Sequence, residues 1–172
     1  MARFFTGVVI VACLTLSASA ENLQTTSRPD VRVPFPPIKD WSSLHIRLER
    51  TPCYGWCPAY SVEITADGSV TWFGRHYVEA KGGRSAQVPP EKVRALYAAF
   101  VKADFFWTFD KYEAPITDLP THVISISYDG REKTIVDYAG THVGMPKAID
   151  DLEEAVDTLA GTKAWIGQTR EP

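Results

Sequence analysis

Apolar and polar residues alternate along the first half of the chain in a pattern typical of half-buried β-strands. Two segments show the alternation clearly and a third, shorter one follows after a turn. The apolar positions are Leu44, Ile46 and Leu48 in the first segment, Tyr60, Val62 and Ile64 in the second, and Val70 and Trp72 in the third. The pattern therefore predicts three strands, each with one face toward a core.

The connection between the second and third strands can be tested by register, because a shift of one residue moves every side chain to the other face. A two-residue turn at Asp67-Gly68 would place Ile64 opposite Thr71 and separate the two apolar sets. A three-residue loop, with Gly68 in the left-handed conformation, sets Ile64 opposite Val70. We therefore expect the three-residue loop.

Helical spacing of apolar residues predicts two helices in the second half of the chain. The first opens at Pro89 and Pro90, while the second starts at Pro146 and stops at Gly161. The inward positions are Val93, Leu96, Tyr97, Phe100 and Ala103 in the first helix, and Ala148, Leu152, Ala155, Val156 and Leu159 in the second. We interpret the acidic face of the second helix as solvated. Its members are Asp150, Asp151, Glu153, Glu154 and Asp157.

A second hairpin is predicted between the two helices, from residues 123–128 and 132–138 around Asp129-Gly130. The pattern leaves its register open, because two- and three-residue turns bury comparable residues. A two-residue turn would set His122 directly opposite Asp137. The preceding segment, 104–121, is aromatic and irregular, and we expect it to pack onto the domain.

The predicted order β-β-β-α-β-β-α, connected by hairpins, indicates an α+β fold. We expect a two-layer sandwich in which an antiparallel sheet of about five strands carries two helices on one face. The domain is predicted to span residues 43–167, after a Pro-rich linker at 21–42 and before a short tail at 168–172.

The N-terminus has the basic, apolar and small-residue order of a secretory signal peptide over residues 1–20. Its apolar run is too short to cross a bilayer. We therefore expect an exported protein, periplasmic or extracellular, with no transmembrane segment in the mature chain. The segment ending at Cys13 also resembles a lipoprotein cleavage box, which leaves lipid anchoring at Cys13 as the alternative.

Composition narrows the classes of partner. The formal net charge is −3 and basic runs are absent from the sequence, which argues against nucleic acid as a ligand. The sequence contains no Gly-rich phosphate loop, no G-x-S-x-G elbow and no H-E-x-x-H helix. We therefore assign no catalytic residue, no metal ligand and no cofactor.

Once a signal peptide is removed, Cys53 and Cys57 are the remaining cysteines, and an even pair in an oxidising compartment predicts a disulfide. Cys-x3-Cys-Pro is also similar to the copper site of thioredoxin-like assembly factors for cytochrome oxidase. That chemistry needs the second cysteine near a helix start, where its thiol pKa falls. Pro58 instead precedes an alternating strand, so a structural bridge is preferred.

Four residues are candidate ligand contacts: Tyr54, Trp56, Asp118 and Asp137. Tyr54 and Trp56 lie in the constrained loop between the cysteines, where side chains tend to be displayed. Paired carboxylates such as Asp118 and Asp137 could serve a hydrolase as acid and base, although Asp118 is also suited to fixing its loop. A contact between His122 and Asp137 without a nucleophile is usually structural. Other aromatics could line a groove but are more often core; they are Tyr60, Trp72, Trp107 and Tyr112.

Several short motifs follow one another along the chain: residues 51–60, Asp67-Gly68, 103–106, 116–121, Lys133-Thr134, Asp137-Tyr138, and 160–162 with Trp165. In this order they resemble a bacterial domain-of-unknown-function family, family 6438. The resemblance covers roughly residues 44–166 and implies exported or lipid-anchored relatives with no established activity. The expected function is a non-enzymatic module that binds an envelope protein or a small ligand. The alternative is a thiol–disulfide or copper-handling protein that uses Cys53 and Cys57.

Overall fold

The computed structural model describes Arg32 and residues 34–168. The expected signal peptide, the lipidation alternative at Cys13 and most of the linker lie outside the described residues, as do the last four residues of the tail. Seven strands and three α-helices follow in chain order. They are β1 (His45–Arg50), β2 (Ala59–Thr65), β3 (Ser69–His76), β4 (Gly82–Gln87), α1 (Pro90–Lys102), β5 (Lys111–Glu113), β6 (His122–Tyr128), β7 (Arg131–Tyr138), α2 (Lys147–Ala160) and α3 (Lys163–Ile166).

All seven strands form one mixed sheet in the order β4-β3-β2-β1-β6-β7-β5. Five neighbouring pairs are antiparallel, and β5 pairs with β7 in parallel. The α+β class is therefore confirmed, and the expected antiparallel sheet of about five strands is less exact than the structure, which has a mixed sheet of seven. The two strands that sequence reasoning missed, β4 and β5, are the two edges.

The edge strands carry little of the apolar alternation that marks a strand. In β4 five of the six residues are exposed and two are glycine, which the sequence pattern presented as a break. In β5 only three residues pair, and Tyr112 is the one buried side chain among them. Their pairing is decided by the neighbouring strand and not by a hydrophobic pattern of their own.

Both hairpins have a definite register. Ile64 lies opposite Val70 across β2 and β3, as the three-residue loop requires, so that expectation is confirmed. In the β6–β7 hairpin Tyr128 pairs with Arg131, which makes Asp129-Gly130 a two-residue turn. Both turn residues have positive φ, 50° and 70°, as a type I′ turn demands. His122 therefore faces Asp137 directly.

The core lies between one face of the sheet and the helices α1 and α2. Inward residues of the central strands are fully buried, among them Ile46, Leu48 and Ile64. Alternate residues of β1 point to the opposite face of the sheet and stay exposed or half-buried. The helix α2 ends at Gly161, which is left-handed at φ 69° and caps the helix as expected.

Part of the segment predicted as linker packs on the domain. Phe35, Ile38 and Trp41 are half-buried against the core. The backbone N–H groups of Lys39 and Asp40 donate to the Asp129 carboxylate, at 2.6 and 2.9 Å. The segment from residue 34 to 43 is therefore tied to the β6–β7 turn. No helix within the described residues is long and apolar enough to span a membrane.

Candidate functional site

The loop between β1 and β2 is closed by a disulfide between Cys53 and Cys57, whose Cα atoms are 5.6 Å apart. A second tie comes from the segment before β6. The N–H of Thr51 donates to the carbonyl of Thr121 at 2.9 Å, and the N–H of Thr121 donates to the Thr51 hydroxyl at 2.8 Å. The loop is therefore held at both its start and its middle. A strand, β2, follows it directly at Ala59, and not the helix that thiol chemistry would use.

The two aromatic residues of this loop face solvent. Tyr54 is 89% exposed and Trp56 is 54% exposed. Trp56 meets Tyr77, itself 44% exposed, edge to face with ring centroids 5.1 Å apart. We call Tyr54, Trp56 and Tyr77 the aromatic surface. Trp56 and Tyr77 also border a cleft of about 480 Å³. The remaining lining residues are His76, Val78, Glu79, Lys81, Ile166 and Gln168.

The other aromatics considered from the sequence lie inside or partly inside the domain. Tyr60 and Trp72 are fully buried and stack with centroids 4.4 Å apart. Tyr112 is buried as well, and Trp107 is half-buried in a short 3-10 helix, Phe105–Trp107.

Asp118 lies in an exposed loop with a left-handed backbone, φ 72°. Its carboxylate accepts a hydrogen bond from the hydroxyl of Thr117 at 3.0 Å. Its carbonyl accepts the N–H of Tyr54 at 3.3 Å, which links this loop to the disulfide loop. Asp137, the carboxylate with which it was considered as a pair, is instead buried in a separate polar cluster.

That cluster contains His122 at the start of β6, Asp137 near the end of β7 and Glu153 in the middle of α2. Nδ1 of His122 lies 2.6 Å from Oε2 of Glu153 and 3.9 Å from Oδ2 of Asp137. Glu153 is 1% exposed and Asp137 is 7% exposed. The N–H of Gly140 donates to Oδ1 of Asp137 at 2.6 Å, which fixes that carboxylate. We call these three side chains the His–Asp–Glu cluster.

Arg50 lies beside the cluster at the end of β1. Its guanidinium pairs with Asp157 at 2.8 Å and Glu154 at 3.0 Å, and it contacts both ring nitrogens of His122 at 2.9 and 3.0 Å. Asp157 also accepts the Tyr60 hydroxyl at 2.7 Å. Arg50, Tyr60, Glu154 and Asp157 border a second cavity, of about 370 Å³.

Burial and neighbouring charges shift the protonation of this region. Burial raises the pKa of Glu153 above its ordinary value, while the hydrogen bond and the charge of His122 act in the opposite direction. Burial also raises the pKa of Tyr60, and the adjacent Asp157 carboxylate adds to the shift. Burial alone would lower the pKa of Arg50, but the charges of Asp157, Tyr60 and Glu153 and the hydrogen bond to Asp157 together raise it.

The interpretation of the acidic face of α2 as solvated is wrong for Glu153, whose side chain is buried, and for Asp157, which is 15% exposed at its side chain. The sequence does indicate the buried position of Glu153, through its helical spacing. Glu153 lies four residues after Ile149 and three before Val156, so helical spacing places it on their buried face. Arg50 shares the parity of Ile46 and Leu48 in β1, which points it to the core side of the sheet.

Fold and site together define a small α+β domain with a mixed sheet, one helical layer and a disulfide-closed loop that displays aromatic side chains. The chain belongs to the family described as domain of unknown function DUF6438, which matches residues 44–160. This confirms the family resemblance drawn from the motifs. A search of curated proteins finds no match to the chain.

Proposed function

We propose that this protein is an exported, non-enzymatic binding module that holds a protein partner of the cell envelope through the aromatic surface. The observation that carries the proposal is the exposure of Tyr54 and Trp56 on a loop closed by the Cys53–Cys57 disulfide. Large aromatic side chains are costly to leave in water, and Trp and Tyr are the residues most enriched among the energetic centres of protein interfaces.

The rigidity of the loop supports a binding role. Ordering a flexible loop at an interface costs free energy, and here the disulfide and the hydrogen bonds to residues 118–121 have already ordered it. Trp56 is further held by its edge-to-face contact with Tyr77. A partner therefore meets a preorganised surface.

A protein partner fits the surface better than a small molecule does. A small-molecule site encloses most of its ligand within a concave pocket. Trp56 and Tyr77 border the cleft, but Tyr54 does not line it and is the most exposed of the three. A macromolecular surface can cover Tyr54 and insert a side chain into the cleft at the same time.

Photocrosslinking in the producing cells tests the proposal. A photoreactive amino acid at position 54 is expected to give one discrete protein adduct, whose partner is identified by mass spectrometry. The same amino acid at position 143, where Val143 is 43% exposed, is the matched control and gives no such adduct. Absence of an adduct at 54, or the same adduct at both positions, overturns the proposal.

Binding of the purified partner then measures the role of Trp56. Trp56→Ala is expected to weaken binding by roughly thirtyfold, the effect of losing an interface centre worth about 2 kcal/mol. Phe73→Ala is the control, because Phe73 has nearly the same exposure, 52% against 54%, but lies in the middle of β3. Phe73→Ala should leave the affinity unchanged within about twofold. Equal losses in the two variants would show that exposed aromatic area, and not this site, determines binding.

A further inference from the structure

Three elements of regular structure place the donors of the His–Asp–Glu cluster. His122 and Asp137 are paired across β6 and β7, and Glu153 comes from α2, which packs over the sheet. One donor atom from each residue lies within 4.8 Å of the other two. Donors on paired strands and a packed helix are fixed more closely than donors on loops, which is the arrangement that binding sites require.

One carboxylate oxygen of the cluster is unsatisfied. Oε1 of Glu153 is buried and has no hydrogen-bond partner among the described residues, although Oε2 of the same carboxylate faces His122. A buried acceptor without a partner is rare and costs free energy. A coordinated cation is a group that can satisfy it.

The surroundings of the His–Asp–Glu cluster also carry more negative than positive charge. Arg50 is the permanent cation nearest the cluster and contacts His122 at 2.9 Å, but its closest carboxylate partners are Asp157 and Glu154, and it remains 3.8 Å from Oε2 of Glu153. Arg50 therefore pairs with three carboxylates, those two and Glu153, while Asp137 lies 3.9 Å from His122 and forms no ion pair with Arg50. A divalent ion would remove most of the excess negative charge that burial makes costly.

The donor types indicate which ion. Imidazole suits transition metals, whereas carboxylates alone would suit Mg²⁺ or Ca²⁺. Zn²⁺ takes both kinds of donor at about 2.0 to 2.2 Å, so tetrahedral donors are separated by about 3.3 to 3.6 Å. Nδ1 of His122 is now 2.6 Å from Glu153 and 3.9 Å from Asp137. The two distances from His122 therefore differ from zinc geometry by about 1 Å or less, and the third, between Asp137 and Glu153, is within 4.8 Å.

Support for the donors is already in place. The N–H of Gly140 holds Oδ1 of Asp137 and leaves Oδ2 directed toward His122. Such hydrogen bonds to ligating carboxylates orient them for a metal. The side chain of His122 is 23% exposed, so the cluster is in contact with solvent at this residue.

From these observations we propose that His122, Asp137 and Glu153 form a binding site for a divalent transition-metal ion, with Zn²⁺ the best-suited ion. This site is separate from the aromatic surface and does not depend on the function proposed for it. Three protein ligands leave a further coordination position for water or a ligand group.

Calorimetric titration of the purified, metal-free protein with zinc chloride tests the site. One Zn²⁺ per chain is expected. His122→Ala and Glu153→Gln should each weaken binding at least tenfold, because each removes a ligand. His45→Ala is the matched control: Nδ1 of His45 also lies 2.6 Å from a glutamate, Glu63, but the pair is half-exposed on the open face of the sheet. That variant should bind Zn²⁺ as the wild type does.

A spectroscopic measurement on the wild type tests the same site without depending on whether a variant folds. In ¹H–¹⁵N spectra of the imidazole groups, Zn²⁺ should shift the ring nitrogens of His122 at one equivalent and leave those of His45 in place. Failure of the wild type to bind Zn²⁺ at millimolar concentration overturns the proposal. So does a shift at His45 in place of His122, or equal loss of affinity in the His45 and His122 variants.

Discussion

At the scale of single residues, Arg50 is the group on which the buried polar region depends. Its side chain is 13% exposed and pairs with Asp157 and Glu154, while it contacts His122. Buried ion pairs contribute little net stability when intact, but removal of one partner leaves an uncompensated buried charge. The loss of Arg50 should therefore cost more free energy than the intact ion pairs contribute, because it leaves buried carboxylates without a cation.

Arg50→Met keeps the length of the side chain and removes its charge. We expect it to lower the free energy of unfolding by about 3–5 kcal/mol, because Asp157 is then left buried without its cation. Arg47→Met is the control: Arg47 is 49% exposed at its side chain and pairs with Glu49 at the surface, so its loss should cost about 1 kcal/mol or less. Urea unfolding measures both, and similar losses would contradict the role given to Arg50.

Sequence reasoning reached parts of this site and missed others for identifiable reasons. Cys53 and Cys57 could be paired from their number and the expected compartment, and the display of the loop aromatics was inferred from that pairing. The opposition of His122 and Asp137 depended on a turn length that the hydrophobic pattern left open. Arg50 and Glu153 occupied buried positions by their periodicity, but a charged residue is normally interpreted as exposed. Their partners come from distant segments that only the fold brings together.

At the scale of elements, turns determine how the strands are aligned. Gly68 is left-handed, φ 87°, and closes the β2–β3 loop. Its carbonyl accepts the N–H of Val88 at 2.8 Å, which ties the end of β4 to the same turn. A Cβ at this position would lie 1.9 Å from the carbonyl oxygen of Val88. The turn therefore needs glycine for both conformation and space.

Gly68→Ala should lower the free energy of unfolding by at least about 2 kcal/mol, from left-handed strain and from the overlap with Val88. Gly130→Ala separates the two causes, because Gly130 is also left-handed, φ 70°, yet a Cβ there meets open space. Its cost should be about 1–2 kcal/mol, the backbone term alone. The comparison is made by urea unfolding at one pH. A loss in Gly68→Ala no larger than that in Gly130→Ala would contradict the crowding described at Val88.

At the scale of the whole molecule, the helical layer and central strands were predictable because their apolar residues repeat at helical or strand spacing. The sheet edges were not. The segment from residue 34 to 43 was also harder to interpret, since its prolines indicate a linker while its aromatic residues pack on the core. Phe35 lies 4.9 Å from Phe106 and 5.7 Å from Tyr97 between ring centroids.

Phe35→Ala tests whether this segment is part of the folded domain. We expect it to lower the free energy of unfolding by about 2 kcal/mol through lost burial and ring contacts. Phe73→Ala, the same change at a side chain 52% exposed, should cost less than about 1 kcal/mol. Thermal or urea unfolding of the two variants measures both losses. Equal stability of Phe35→Ala and the wild type would mean that the segment contributes nothing to the fold.

The hydrogen bonds between residues 39–40 and Asp129 fix the segment that precedes β1 at one end of the sheet. Asp129 lies at the end of the sheet where β1 begins, whereas the disulfide loop follows Arg50 at the end where β1 finishes. A strand of this length spans roughly 20 Å. The chain thus enters at one pole and presents Tyr54 and Trp56 at the other. A partner bound to Tyr54 and Trp56 would therefore lie at the end of the domain opposite to residues 39–40.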